Sequence, residues 1–291
     1  MAAVVAEALP RRRSVLRRML RGRGTAVAFA ILATIVVAAL LAPWIAPYEP
    51  FAVAGRPFLP PFWAEGSDPR FWLGTDGQGR DILTRVLHGT RLTLLMGLVS
   101  VAIGGSIGMA LGLLSAFFRA ADPYLMRLVD VLLSFPAILL GLAVAAVFGP
   151  GVTAIIVALS VATIPDVARV TRGAAVVVMG QDYMESGRAV GLPNHTLILR
   201  YLALNCISTV FVFLTLRFGQ VILIGAALSF LGLGARPPTA ELGMMAAQGR
   251  DFLFLAPHIA TIPSLAIFVI VLCANIVGDA LRDVLDPRLR S

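Results

Sequence analysis

The chain contains no lysine: all 24 of its basic residues are arginine. A nucleotide-hydrolysing P-loop needs a lysine to reach the β- and γ-phosphates, so this chain does not energise a process by that route. Charge of either sign is scarce, at 14% of residues, against about 25% in soluble domains. With 58% hydrophobic residues and a mean hydropathy of +0.89, an ordinary soluble enzyme is excluded. Only two cysteines are present, Cys206 and Cys273, both in apolar stretches. They offer neither a disulfide framework nor a CxxC metal pair and read as buried thiols. No HExxH motif occurs, and His88, His195 and His258 are far apart in the chain, which argues against a metal site. Internal repeats are missing, and the only biased tract is an arginine-rich start.

What the chain has instead is a succession of apolar runs, each suited to crossing about 30 Å of hydrocarbon at ~1.5 Å per residue. They fall at about 26–45, 92–118, 128–148, 152–171, 205–232 and 257–278 and predict an all-α polytopic membrane protein with six transmembrane helices. The fourth run is the weakest, because Pro165, Asp166, Arg169 and Arg172 interrupt it. The expected organisation begins with a basic cytoplasmic N-terminus (1–24) and a first transmembrane helix (25–46), uncleaved because its core exceeds that of a signal peptide. A proline-rich extracytoplasmic insertion carrying Trp63 and Trp72 follows (47–90). Then come a five-helix core (91–280) with a cytoplasmic loop at 181–204, and a C-terminal tail (281–291).

A net charge of +8 could suggest nucleic acid, but seven arginines precede the first apolar run, where they form a topogenic signal. The expected partner is a membrane surface and not nucleic acid. With six spans and an internal N-terminus, inside segments hold 16 arginines and outside segments 7, leaving Arg217 within a span. Positive-inside bias therefore predicts that both termini are cytoplasmic.

Two features invite other functions. Gly104-Gly105-Ser106-Ile107-Gly108 matches the G-x-S-x-G pattern of serine hydrolases, yet it lies mid-span, where small residues let helices approach. Arg217, about twelve residues into the fifth span, needs a partner or a water-filled path. It would suit an autonomous secondary carrier, a substrate path or a subunit contact. Asp130, three residues after Arg127, is expected to form an interfacial ion pair with it.

Residues 181–204 are too polar to cross and too patterned to be a plain linker. Asp182 can cap a helix whose third position is Glu185. Gly191 supplies a left-handed terminator, and Pro193 suits the start of a next helix, which together predict two short helices joined by a tight elbow. Tyr183, Met184 and Val190 beside Glu185 and Arg188 form a patch for docking into another protein. The same residues also fit a loop lying on the membrane surface, and the residues alone do not choose.

The run Asp182-Tyr183-Met184-Glu185-Ser186-Gly187-Arg188-Ala189-Val190-Gly191 resembles the EAA loop (E-A-A-x-x-x-G) of the membrane subunits of bacterial ABC importers. Three further stretches resemble the C-type permease of dipeptide, oligopeptide and nickel importers. They are Leu73-Gly74-Thr75-Asp76-Gly77-Gln78-Gly79-Arg80-Asp81, residues 228–238 from Leu228 to Pro238, and residues 278–289 from Gly278 to Leu289. Length, the basic start and exclusive use of arginine are most similar to the oligopeptide permease C subunit of a high-GC actinobacterium such as a mycobacterium. Departures are Ser186 and Gly187 for two alanines, Leu204 for a proline, and Ala240 and Leu242 for the Pro and Trp of P-E-W-G.

The resemblance implies a type I ABC importer permease fold and a non-catalytic role: importing peptides, oligopeptides above all, by alternating access. It implies that Asp182, Tyr183, Met184, Glu185, Ser186, Gly187, Arg188 and Gly191 couple to an ATPase, and that Gly74, Thr75, Asp76, Gly79, Arg80 and Asp81 form a family motif before the second span. This chain would bind no cofactor, with ATP and Mg²⁺ held by partner ATP-binding subunits. A second, B-type permease subunit and an extracytoplasmic peptide-binding protein would complete the complex, in the bacterial plasma membrane.

Overall fold

The computed structural model describes Met19 and residues 22–285. The N-terminal arginines up to Arg21, and Arg288 and Arg290 of the tail, lie outside the described residues. Among the described residues all regular structure is helical: α1 (Arg23–Leu40), α2 (Ala42–Ile45), α3 (Ile82–Phe117), α4 (Asp122–Leu133), α5 (Ala137–Phe148), α6 (Val152–Met179), α7 (Asp182–Ala189), α8 (Asn194–Phe230), α9 (Leu242–Gly249) and α10 (His258–Leu285).

Five of these helices, α1, α3, α6, α8 and α10, are each long and apolar enough to cross a membrane. The third expected span is different: α4 and α5 meet at 90° across Ser134–Pro136. Pro136 cannot continue the helix behind it, and neither half reaches across alone. The two together still join opposite ends of the bundle. The start of α4 is tied to the 181–204 end, where Arg172 binds Asp122 and Arg188 covers the ring of Phe117 at 5.4 Å. Beyond α5, Gly151 donates to the Leu233 carbonyl (3.1 Å) and Arg236 to that of Pro150 (3.0 Å), past the far end of α8. Six crossings result, one of them broken.

The fourth run, weakest in sequence, is an unbroken 28-residue helix containing Pro165. Glycine sets its contact with α3. On α3, Gly104, Gly108 and Gly112 recur every four residues and share one face. A Cβ there would lie 2.5 Å from the Ser160 carbonyl oxygen, 2.6 Å from that of Ile164 and 2.6 Å from that of Ala168. Backbone therefore meets backbone along α3 and α6, the small-residue packing that replaces hydrophobic drive inside lipid. Ser106 is exposed and plays no part in that contact. The packing expected of the G-x-S-x-G stretch belongs to its flanking glycines.

Two boundaries shift by ten residues or more. The second span begins at Ile82, ten residues before the apolar run, because Asp81 caps it by accepting from the Thr84 N–H at 2.8 Å. The fifth extends back to Asn194 through a π-helical stretch, Leu197–Ala203. Leu204, unlike a proline, supplies the N–H that lets this helix run on.

Candidate coupling site

At one end of the bundle, α7 forms a short helix whose sequence dictates its ending. Val190 caps it, Gly191 adopts φ +81°, and the next two N–H groups turn back. Gly191 donates to the Arg188 carbonyl and Leu192 to the Gly187 carbonyl, each at 3.0 Å, the paired bonds of a Schellman terminator. The expected elbow is present, with two corrections. Asp182 is the first helical residue and not the cap; Gln181 holds that place with no side-chain cap bond, so the capping box does not form. And the second helix is not short, because α8 continues from Asn194 into the fifth span.

The expected docking patch divides in two. Met184 is 1% exposed and packs with Leu113, Phe117, Leu197 and Leu202. Gly187 is buried as well, and a Cβ there would meet the tip of the Leu197 side chain at 2.9 Å. These residues fasten α7 to the bundle. Asp182, Tyr183, Glu185, Ser186, Arg188 and Val190 are exposed, so the outer face of α7 is polar and aromatic, with Val190 at its edge.

The opposite end carries the second motif, folded into a buried knot. Thr75 donates to the Arg56 carbonyl (2.6 Å) and accepts from the Leu59 N–H (2.9 Å). Asp76 binds Arg80 at 2.7 Å and Arg85 at 3.4 Å. Gly79, at φ +79°, sits where a Cβ would strike the Gly55 carbonyl oxygen, and Gly74 likewise meets Leu59. Burial pushes the Asp81 carboxyl above its ordinary range, against the hydrogen bonds from Thr84 that lower it. His258, at the start of α10, reaches the Thr75 carbonyl at 3.3 Å. The motif is thus a folded connection, with the capping expected of it at Asp81.

Charges within the spans find partners on neighbouring helices. Arg217 binds Asp166 of α6 at 2.5 Å. Asp130 pairs with Arg169 at 2.6 Å and not with Arg127, because α4 lies across α6 and brings the pair together. Sequence reasoning passed over Glu241, 1% exposed, which caps α9 through the Gly243 and Met244 N–H groups (2.9 and 2.8 Å) and accepts from the Thr93 hydroxyl at 3.1 Å. Its signals were its place before an apolar helical run and its match to the Glu of P-E-W-G, between Ala240 and Leu242. Among the described residues no three His, Cys, Asp or Glu side chains gather as a metal site.

Residues 108–291 match the family described as the inner membrane component of binding-protein-dependent transport systems. The chain belongs to that family. Residues 11–61 also match the N-terminal transmembrane domain of oligopeptide transport permease C. The permease is 44% identical over 260 residues to the di/tripeptide transport system permease protein DppC of Pseudomonas aeruginosa, covering 88% of this chain and 86% of that protein. It is 41% identical over 276 residues to the glutathione transport system permease protein GsiD of Pectobacterium atrosepticum, covering 94% and 90%. Among solved structures the permease resembles a chain of the MetNI methionine ABC transporter, at 22% identity and a TM-score of 0.57 over 70% of this chain and 97% of that one. The type I importer permease fold expected from the motifs is therefore present, and the chain is a transport subunit, not an enzyme.

Proposed function

We propose that this permease carries peptides inward across the bacterial plasma membrane as one of two permease subunits, driven by ATP-binding subunits that dock on α7. The observation that carries this reading is the division of α7 into a buried anchoring face, Met184 and Gly187, and an exposed face bearing Tyr183, Glu185 and Val190. A helix held rigidly to the bundle by one side and free on the other can pass a partner's movement to α6 and α8, between which it is inserted, and so drive alternating access. Peptide cargo is supported by the di/tripeptide and glutathione names of the relatives, oligopeptide cargo by the match at the N-terminus. ATP and Mg²⁺ belong to the partners, because this chain lacks lysine. An extracytoplasmic peptide-binding protein would meet the end formed by the 74–81 knot. An actinobacterial source rests on length, the basic start and arginine usage, and the relatives named above lend it no support.

The test is purification of the tagged chain from its native membrane in mild detergent, followed by assay for ATP hydrolysis. Wild type brings ATPase activity with it, whereas Glu185→Arg, which reverses the charge of the exposed face, inserts normally but loses that activity. A chain that purifies alone and inert overturns the coupling role.

A further inference from the structure

Three ion pairs lie along one side of α6. Asp166, midway along the helix, holds Arg217 at 2.5 Å. Three residues on, Arg169 holds Asp130 of α4 at 2.6 Å, and three further Arg172 forks onto Asp122 through bonds of 2.7 and 2.6 Å. Spacing of three keeps these side chains on neighbouring parts of one helix face, so a charged ladder runs from mid-membrane depth to the α7 end. None of it is sealed in the bundle. The side chains of Arg217 and Asp166 are 17% and 31% exposed, and those of Arg169 and Asp130 are 57% and 53% exposed. A cleft of about 420 Å³ lined by Asp130, Arg169, Arg172 and Gly173 opens beside the lower rungs.

The top rung is under-satisfied. Arg217 also donates to the Gln220 side chain at 2.8 Å and to the Ala162 carbonyl at 3.4 Å, yet its Nε is buried without a partner. Charged side chains left partly open below the α7 end, those of Asp166 and Arg217 deepest, cannot face hydrocarbon, where ionised groups are rare and turn toward water or protein. A dry protein contact would strip water from these charges at a cost that only further partners could repay, and the three pairs are already matched among themselves.

We propose that the face of α6 and α8 bearing this ladder is the water-lined wall of the transport passage, and that Arg217 receives the terminal carboxylate of a passing peptide in exchange for Asp166. The exchange conserves charge: one carboxylate leaves the guanidinium as another arrives. Asp166, freed, faces the passage as an acceptor for the peptide's cationic groups. The peptide part rests on the proposed function, while the water-lined wall does not.

The experiment uses the complete importer in proteoliposomes and a membrane-impermeant anionic thiosulfonate. Cysteine is introduced at Gln220, which is exposed beside Arg217, and at Gly173, where no atom lies within 4 Å of the added Cβ. Leu98, 60% exposed on α3, is the apolar comparison, and the native Cys206 and Cys273 are buried. Gln220→Cys and Gly173→Cys are expected to react at least about tenfold faster than Leu98→Cys, since only a hydrated thiol ionises and attacks. Millimolar Ala-Ala-Ala should slow labelling of Gln220→Cys, and its C-terminal amide should not. Labelling of Gln220→Cys as slow as that of Leu98→Cys overturns the wall, and equal effects of acid and amide, or none, overturn the carboxylate role. Wild-type liposomes that take up no tripeptide would sink the peptide reading separately, because the labelling rates need no peptide.

Discussion

Gly191 shows what one residue contributes. Its φ of +81° places it where L side chains are strained, yet nothing lies within 4 Å of the position a Cβ would take. Substitution therefore costs backbone strain alone, about 1–2 kcal/mol for an ordinary residue and least for Asn, which visits this region most readily. Gly191→Asn should keep ATP-driven uptake near wild type, whereas Gly191→Val should lower it severalfold at equal membrane abundance, as compared by uptake per immunoblotted chain. Equal uptake by both variants would mean that the elbow's angle does not matter. The elbow was legible in sequence because glycine before proline, after a polar amphipathic stretch, has few other uses. What the sequence concealed was direction. Tyr183, Met184 and Val190 read as one apolar patch, but only the packing of Leu113 and Leu197 shows that Met184 faces inward, and a helix of eight residues offers too few apolar positions to decide its buried side.

Among the elements, α3 and α6 meet backbone to backbone along a stripe of glycines, and glycine sets that approach. A Cβ on Gly108 would lie 2.6 Å from the Ile164 carbonyl oxygen and 2.8 Å from the Val167 side chain, and neither backbone can move without parting the helices. Gly108→Val should therefore destabilise the chain by at least the ~1–3 kcal/mol typical of overpacking, lowering its melting temperature in detergent. Ser106→Val, two residues away but exposed, should leave the melting temperature unchanged. A reversed order would remove the stripe from the account, and a fluorophosphonate adduct at Ser106 would reopen the hydrolase reading. Element number was readable from apolar run length, since lipid requires each crossing to be a helix. The right-angle break at Ser134–Pro136 was not, because Pro165 stands within an intact helix on the same kind of evidence. Whether a proline bends or breaks a membrane helix depends on what its neighbours provide to the freed carbonyl, and that is a property of packing.

For the whole molecule, the bent third crossing decides topology. Were α4 and α5 to return to the side they left, α6 would run the opposite way and α7 would stand beside the 74–81 knot. Instead, the ties of Asp122 to Arg172 at one end and of Pro150 to Arg236 at the other make the pair a crossing and bring the number to six. An even number places Arg23 and Leu285 on the same side as α7, and the proposal that this side is the cytoplasm rests on arginine bias. Alkaline phosphatase, active only outside the cytoplasm, gives the check. Inserted at Gly66, in the loop between α2 and α3 where φ is +80° and space is open, it should be active. Fused after the last residue, or inserted at Gly191, it should be inactive. Activity at Gly191 would invert the molecule, placing the proposed coupling helix where no ATP-binding subunit could reach it and the buried Asp76–Arg80–Arg85 knot in the cytoplasm. The energy source and the delivery of cargo would then have to change places, so this one orientation bears on the site at each end of the bundle.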